Sequence, residues 1–217
     1  MLIHPWDAPT HDGEWQHWLA GNDFGQLAVN GPPGAPPLVQ PMHFAYTPGS
    51  GEVVTHLARP NPVWPALEAA PTVLLSVVDD YAFIPGPWQA TEDEPPEHGV
   101  PTSFYAAAQL SCHARIVDDP EAKAVLLQRQ MDHFQPEGGS APVAADQAPY
   151  GRQLAGIRGL LLQVPTVPCR GFCRSRRRRY AGGQQIASIG RVAAHFADLV
   201  TARSTRPRRG PRTWRPV

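Results

Sequence analysis

Three polar side chains stand close together in His56-Leu57-Ala58-Arg59-Pro60-Asn61-Pro62-Val63-Trp64. Their types suit one task, holding an anion. Arg59 carries a planar fork of donors that matches two phosphate oxygens, and His56 adds one more donor. Asn61 is a good N-cap and Pro62 a good first helical residue, since proline lacks the N–H that position leaves unused. The spacing thus predicts a short helix from Pro62 to Ala69 with free amides and a partial positive charge at its start. Together these features make a phosphate cradle. The same residues also suit an ordinary strand–turn–helix with a surface arginine, and the stretch by itself leaves both readings open.

Aromatic residues follow in sequence: Trp64, Tyr81, Phe83, Trp88, Phe104 and Tyr105. They fit either a simple core or an apolar slot for a planar ring whose phosphate the cradle would hold, as flavin mononucleotide requires. Other chemistries find less. The nine histidines are scattered without a His-x-x-x-His or Cys-x-x-Cys pair, and Cys169-x-x-x-Cys173 has no matching second pair, so no metal site is expected. No Gly-x-Ser-x-Gly, Gly-x-Gly-x-x-Gly or Gly-Lys-Ser/Thr loop occurs. Ser103 and Ser111 fall on a strand, and Cys112 is expected to pack within it. No catalytic residue is assigned.

The elements that must position these residues read as follows. A short amphipathic helix runs from about Asp12 to Leu19, then a strand at Phe24–Val29. After the Gly/Pro-rich turn at 31–37 come a strand from Leu38 to Tyr46, a hairpin over 48–51, and a strand to Leu57. Thr72–Val78 is nearly unbroken and apolar, which predicts a central strand covered on both faces. Asp79-Asp80 predicts a turn into a further extended piece, Tyr81–Ile84. Residues 85–98 are polar and proline-rich, a long loop of the kind that serves as a lid or binding loop. A long strand reaches Val117, and Asp118-Asp119-Pro120-Glu121 starts a helix to about Phe134, with Val125, Leu126, Leu127 and Met131 expected inward. A loop to Pro149, a helical turn near 150–155 and a last strand at 157–164 follow. Six or seven strands with hairpin-like links favour a mainly β fold, an antiparallel sheet or β-barrel with peripheral helices.

The 217 residues suit one large domain or one domain with an appendage. A formal net charge of zero conceals a split. Residues 1–164 carry six basic residues (Arg59, Arg115, Lys123, Arg129, Arg152, Arg158) against eighteen acids, net −12. Residues 165–217 carry thirteen arginines against Asp198 alone, net +12. The reading is therefore a globular domain at 1–164 and an Arg-rich C-terminal segment at 165–217, partly disordered. Arg174 and Arg176–Arg179 could pair with nucleic-acid phosphates, and a solvated extension is the alternative. No apolar run is long enough to span a membrane, and Met1–Asp7 lacks the pattern of a secretory signal, so a reducing cytoplasm is expected.

Three motifs now stand in order: His56–Trp64, then Tyr81-Ala82-Phe83-Ile84-Pro85-Gly86-Pro87-Trp88, then Gly99-Val100-Pro101-Thr102-Ser103-Phe104-Tyr105. They resemble the PaiB-type family of FMN-binding negative transcriptional regulators, over roughly residues 1–164. The resemblance implies a split β-barrel of the pyridoxamine-phosphate-oxidase-like kind, a homodimer with FMN at the subunit interface, and repression of transcription through DNA. By motif position it implies that His56, Arg59 and Asn61 hold the phosphate or ribityl end, with Trp64 in the same motif. Pro85, Trp88, Thr102 and Tyr105 would line the flavin region. Two departures stand out. The family's Tyr-Ile-Ser-Pro appears as Phe83-Ile84-Pro85-Gly86, without the serine hydroxyl. Residues 180–185 and 191–196 echo the family's C-terminal turn and helix only faintly, and 165–179 suit a shifted reading frame or true divergence. Two other functions fit the same residues: a flavin-dependent oxidoreductase acting on a small molecule, and a haem-binding split barrel with an axial histidine.

Overall fold

The computed structural model describes residues 13–91 and 93–164, the strand at 172–174, and residues 3, 5, 7–9 and 11. The echoes at 180–185 and 191–196, Cys169 and the arginine run 176–179 lie outside the described residues.

Alternating burial builds the sheet. Strand β1 (Phe24–Val29) turns Leu27 and Val29 inward, and β2 (Leu38–His43) pairs with it antiparallel from Phe24–His43 to Val29–Leu38. Strand β3 (Ala45–Thr47) pairs with β4 (Glu52–Ala58), and β4 pairs along its whole length with β7 (Ile157–Gln163). Strands β5 (Thr72–Ile84) and β6 (Thr102–Val117) stand in the middle, so the order is β2-β1-β5-β6-β7-β4-β3. The short β8 (Phe172–Arg174) pairs β6 at Ala106–Ala108, beyond the stretch that β7 covers.

Phe44 closes the barrel. The two end strands of this path, β2 and β3, follow one another with only Phe44 between them, so the sheet curls back on itself. Phe44 is fully buried, and Thr55 of β4, also fully buried, donates its hydroxyl to the His43 carbonyl at 2.7 Å across the seam. Inside lie Leu27, Val53, Leu75, Leu110, Leu160 and Leu162, capped by Trp15, Trp18 and Leu19 of helix α1 (Glu14–Ala20).

Several elements differ from the sequence reading. The strand expected from Leu38 to Tyr46 is interrupted at Phe44, where the chain changes neighbours. Asp79-Asp80 makes no turn, and β5 runs unbroken to Ile84. Strand β5 is central, yet Leu74 and Val78 are 36% and 62% exposed, so its outer face is uncovered in this chain. Helix α3 (Pro120–Phe134) starts as expected, Asp119 accepting the Ala122 N–H at 2.9 Å, but it buries Lys123, Ala124, Leu126 and Gln130 and leaves Val125 exposed.

The described residues form two units. One holds the strands up to Tyr81 and from Tyr105 onward; the other is Ala82–Phe104 with its short 3-10 turns at Gly86–Trp88 and Pro96–His98.

Candidate functional site

Strand β4 delivers His56 half-buried, opposite Gly159 of β7. Its Nδ1 lies 2.7 Å from Oε1 of Gln130 on α3. With the amide oxygen accepting, Nδ1 carries the proton and Nε2 is left for another partner. An anion at Nε2 therefore calls for the protonated ring.

After Ala58 the chain turns through Arg59-Pro60 into helix α2 (Val63–Ala69). Asn61 shapes that turn. Its Oδ1 accepts the Val63 N–H at 2.9 Å and its Nδ2 donates to Gln40 Oε1 of β2 at 2.9 Å, but the helix starts one residue later than expected, with Pro62 rather than Asn61 at its N-cap. Trp64 is 3% exposed and donates its indole N–H to the Ala58 carbonyl at 2.9 Å, so it clasps the turn from within. Arg59 is held at two places: its Nε donates to the Ala155 carbonyl at 2.8 Å, and its Nη2 lies 3.6 Å from Asp118 and 3.5 Å from the Ile157 carbonyl. Its side chain is still 48% exposed, and none of these bonds uses Nη1. Of the four motif residues, His56 and Arg59 therefore keep a nitrogen for a ligand, while Asn61 and Trp64 serve the turn.

Sequence reasoning missed what braces this turn. Arg158 of β7 forks onto Asp118 with Nε and Nη2, gives Nη1 to Glu68 of α2 at 2.8 Å, and lies 5.1 Å above the Trp64 ring. The Arg158 hydrogen bonds hold the Asp118 carboxyl below its ordinary value, and Asp118 and Glu68 in turn raise Arg158. Lys123 is 3% exposed and donates Nζ to the Leu154 and Ile157 carbonyls at 2.5 and 3.3 Å; burial pushes its pKa down. The one available signal was spacing: Lys123, Leu126 and Gln130 stand at i, i+3 and i+7, a single helix face with polar residues in it.

In the second unit, Pro85 is half-buried and Trp88 is 46% exposed at the end of a 3-10 turn, where the Trp88 N–H meets the Pro85 carbonyl at 3.0 Å. A side chain on Gly99 would collide with the Gly86 carbonyl and stand 2.7 Å from the Ala90 nitrogen, so two glycines let these segments meet. Thr102 is half-buried at the start of β6 in this unit, and Tyr105, half-buried three residues on, belongs to the first.

Two shallow depressions mark the first unit. One, of about 370 Å³, lies beside α1 at His11, Glu14, His17 and Trp18; the other, of about 320 Å³, runs along α3 between Arg115 and Arg129. Neither is lined by His56, Arg59 or Asn61. Among the described residues no group of three or more His, Cys, Asp or Glu could hold a metal ion, and no helix is long and apolar enough to cross a membrane.

Comparison with known proteins supplies the frame for this geometry. No curated protein matches the chain. Among solved structures, it is similar to the FAD- and heme-binding protein of Mycobacterium smegmatis, with a TM-score of 0.56 and 16% identity over 85% of this chain and 95% of that one. It is likewise similar to the conserved hypothetical protein Rv2991 of Mycobacterium tuberculosis, with a TM-score of 0.53 and 16% identity over 86% and 100%. At such identities the likeness shows the fold, a mainly β split barrel. A family model described as "Putative FMN-binding domain" matches residues 1–166. The chain belongs to that family, and FMN is the cofactor its description names.

Proposed function

We propose that the chain binds FMN with its phosphate or ribityl end at Arg59 and His56, acts as a homodimer, and serves as a PaiB-like transcriptional regulator. The observation that carries the binding site is the state of Arg59: its Nε is fixed on Ala155, its side chain is half exposed, and Nη1 is not used by those bonds. A guanidinium oriented at one edge and open at the other is prepared for a phosphate. His56, held at Nδ1 by Gln130, adds an Nε2–H when protonated. Asn61 and Trp64 fix the turn that presents both. Pro85, Trp88, Thr102 and Tyr105 are proposed to line the ring. When bound, the flavin would supply redox chemistry, and a flavin-dependent oxidoreductase is the second reading; the M. smegmatis protein of similar fold binds FAD and heme. The regulator role rests on the order of the three motifs.

The visible spectrum of the purified protein, before and after reconstitution with FMN, tests the cofactor. Flavin bands are expected, and a protein that cannot be loaded refutes the reading. Arg59→Ala is expected to lose most of its FMN while remaining folded; full occupancy in that variant removes the cradle. Reduction by NAD(P)H, set against a DNA mobility shift at stated salt, divides enzyme from regulator.

A further inference from the structure

Where α3 lies on β4, β7 and β6, the side chains beneath it stand in cross-strand rows. Val54, Leu161 and Arg115 make one row; His56, Gly159 and Val117, two residues along each strand, make the next. Helix α3 sits on the second row, with Leu126 over Gly159 and Gln130 bonded to His56. It only borders the first. Ala122, Val125 and Arg129, at i, i+3 and i+7 of α3, face that first row across the depression of about 320 Å³. The floor is a small apolar cluster separate from the main core, Val54, Val117 and Leu126 with Leu161 packed on it. On the helix side Val125 stays 64% exposed.

The depression is cationic at both ends. Residues 1–164 hold six basic residues against eighteen acids, yet two of the six line this depression and no acid does. Arg129 is engaged: it meets Glu52 at 3.1 Å and donates to the Thr47 hydroxyl at 3.1 Å. Arg115 is exposed, and its side chain has no partner among the described residues. One uncompensated guanidinium therefore stands at the β6 end of a bare apolar floor.

We propose that this groove is a second binding site, for a small molecule with an apolar body and a single carboxylate. The carboxylate takes the Arg115 fork, and the body lies along Leu161 and Val54 beside Val125. Charge sets the class. A guanidinium pairs a carboxylate through two parallel bonds, whereas a dianion calls for a second free cation, which Glu52 withholds by holding Arg129. The surrounding net −12 of residues 1–164 also repels a dianion more than a monoanion. Size sets the rest. Ligand sites span about 300–1,000 Å³, and this depression is at the lower end, so the body is one ring or a short chain. None of the lining residues belongs to the His56–Arg59 cradle, and the proposal stands apart from the flavin reading.

Titration of the full-length, isotope-labelled protein with 3-phenylpropionate, at neutral pH and constant ionic strength, tests it. Saturable methyl shifts are expected at Val54, Val125, Leu126 and Leu161, with a Kd of about 1 mM for a ligand of this size in an open groove. Arg115→Gln changes an exposed residue without a partner, so it should fold, and it is expected to weaken binding about tenfold. On the wild type, 3-phenylpropanamide removes the charge and propionate removes the ring; each should also bind about tenfold more weakly. Shifts that do not saturate overturn the proposal, as does undiminished binding to Arg115→Gln. Equal binding of the amide would reduce the groove to an apolar patch and overturns it too. So does inorganic phosphate moving the same methyls at lower concentration than 3-phenylpropionate.

Discussion

Arg59 and Arg158 both stand beside Asp118, yet their nitrogens are spent differently. Arg158 is 17% exposed, with three nitrogens engaged by Asp118 and Glu68, whereas Arg59 holds one edge open. Arg158→Lys keeps the charge but loses the fork, and is expected to cost about 1–2 kcal/mol in urea unfolding near neutral pH, discounted for the exposure of its partners. The pH dependence follows from Asp118, whose carboxyl is held below its ordinary 3.8. Its contribution is complete above that value and disappears as pH falls through and below it, so wild type and Arg158→Lys should converge in strong acid. A constant difference down to that range would mean that Arg158 acts through Trp64 rather than Asp118. At this scale the sequence was readable wherever bonds are local. The Asn61 bond to the Val63 N–H and the Asp119 cap on Ala122 span two and three residues and are set by residue type. Arg59 on Ala155 and His56 on Gln130 span 96 and 74 residues, and nothing in the motif names those partners.

Elements were legible by periodicity and obscure where the tertiary ladder overrules local preference. Asp79-Asp80 are turn formers, yet β5 runs extended through them to Ile84. Of the residues expected to face inward on α3, Leu126 is buried but Val125 is exposed, and the buried stripe adds Lys123 and Gln130, whose polar ends reach carbonyls and an imidazole. What lets α3 settle there is Gly159. A Cβ at Gly159 would lie 3.0 Å from Leu126 Cδ1 and 3.1 Å from Val117 Cβ, its register partner on β6. Leucine can swing aside, but the Val117 backbone is fixed by its ladder. Gly159→Val is therefore expected to destabilise by about 1–3 kcal/mol, overpacking outweighing the gain in strand propensity, with Gly159→Ala costing less. The loss should be equal with and without added FMN, measured by thermal unfolding. A Gly159→Val variant as stable as wild type would show that α3 does not depend on this approach.

For the molecule as a whole, hairpin-like links between six or seven expected strands pointed to a mainly β barrel, and the ladder order bears that out. The closure through Phe44 was hidden, because one residue changing neighbours leaves no mark in an apolar run. The expectation that β5 would be covered on both faces met a bare outer face, and that mismatch carries the dimer proposal. Val39 of β2 pairs Ala28 of β1, which pairs Leu74 of β5, so one apolar row crosses three strands. Phe24 and Val78 lie on the same strands beyond the polar Gln26–Ser76 pair, and Phe24, Val39 and Val78 are 63%, 55% and 62% exposed. A strand apolar on both faces with one of them bare fits a second copy better than solvent. Val39→Glu with Val78→Glu places charges on this face without touching the core, so the subunit fold should survive with little change in melting temperature at low concentration. Sedimentation is expected to show a dimer for wild type and a monomer for the double variant. FMN occupancy should fall with dimerisation if the cofactor sits at the interface. A double variant that still dimerises moves the interface elsewhere. A wild type that is monomeric yet binds FMN through Arg59 would separate the two halves of the proposal and retain only the cradle.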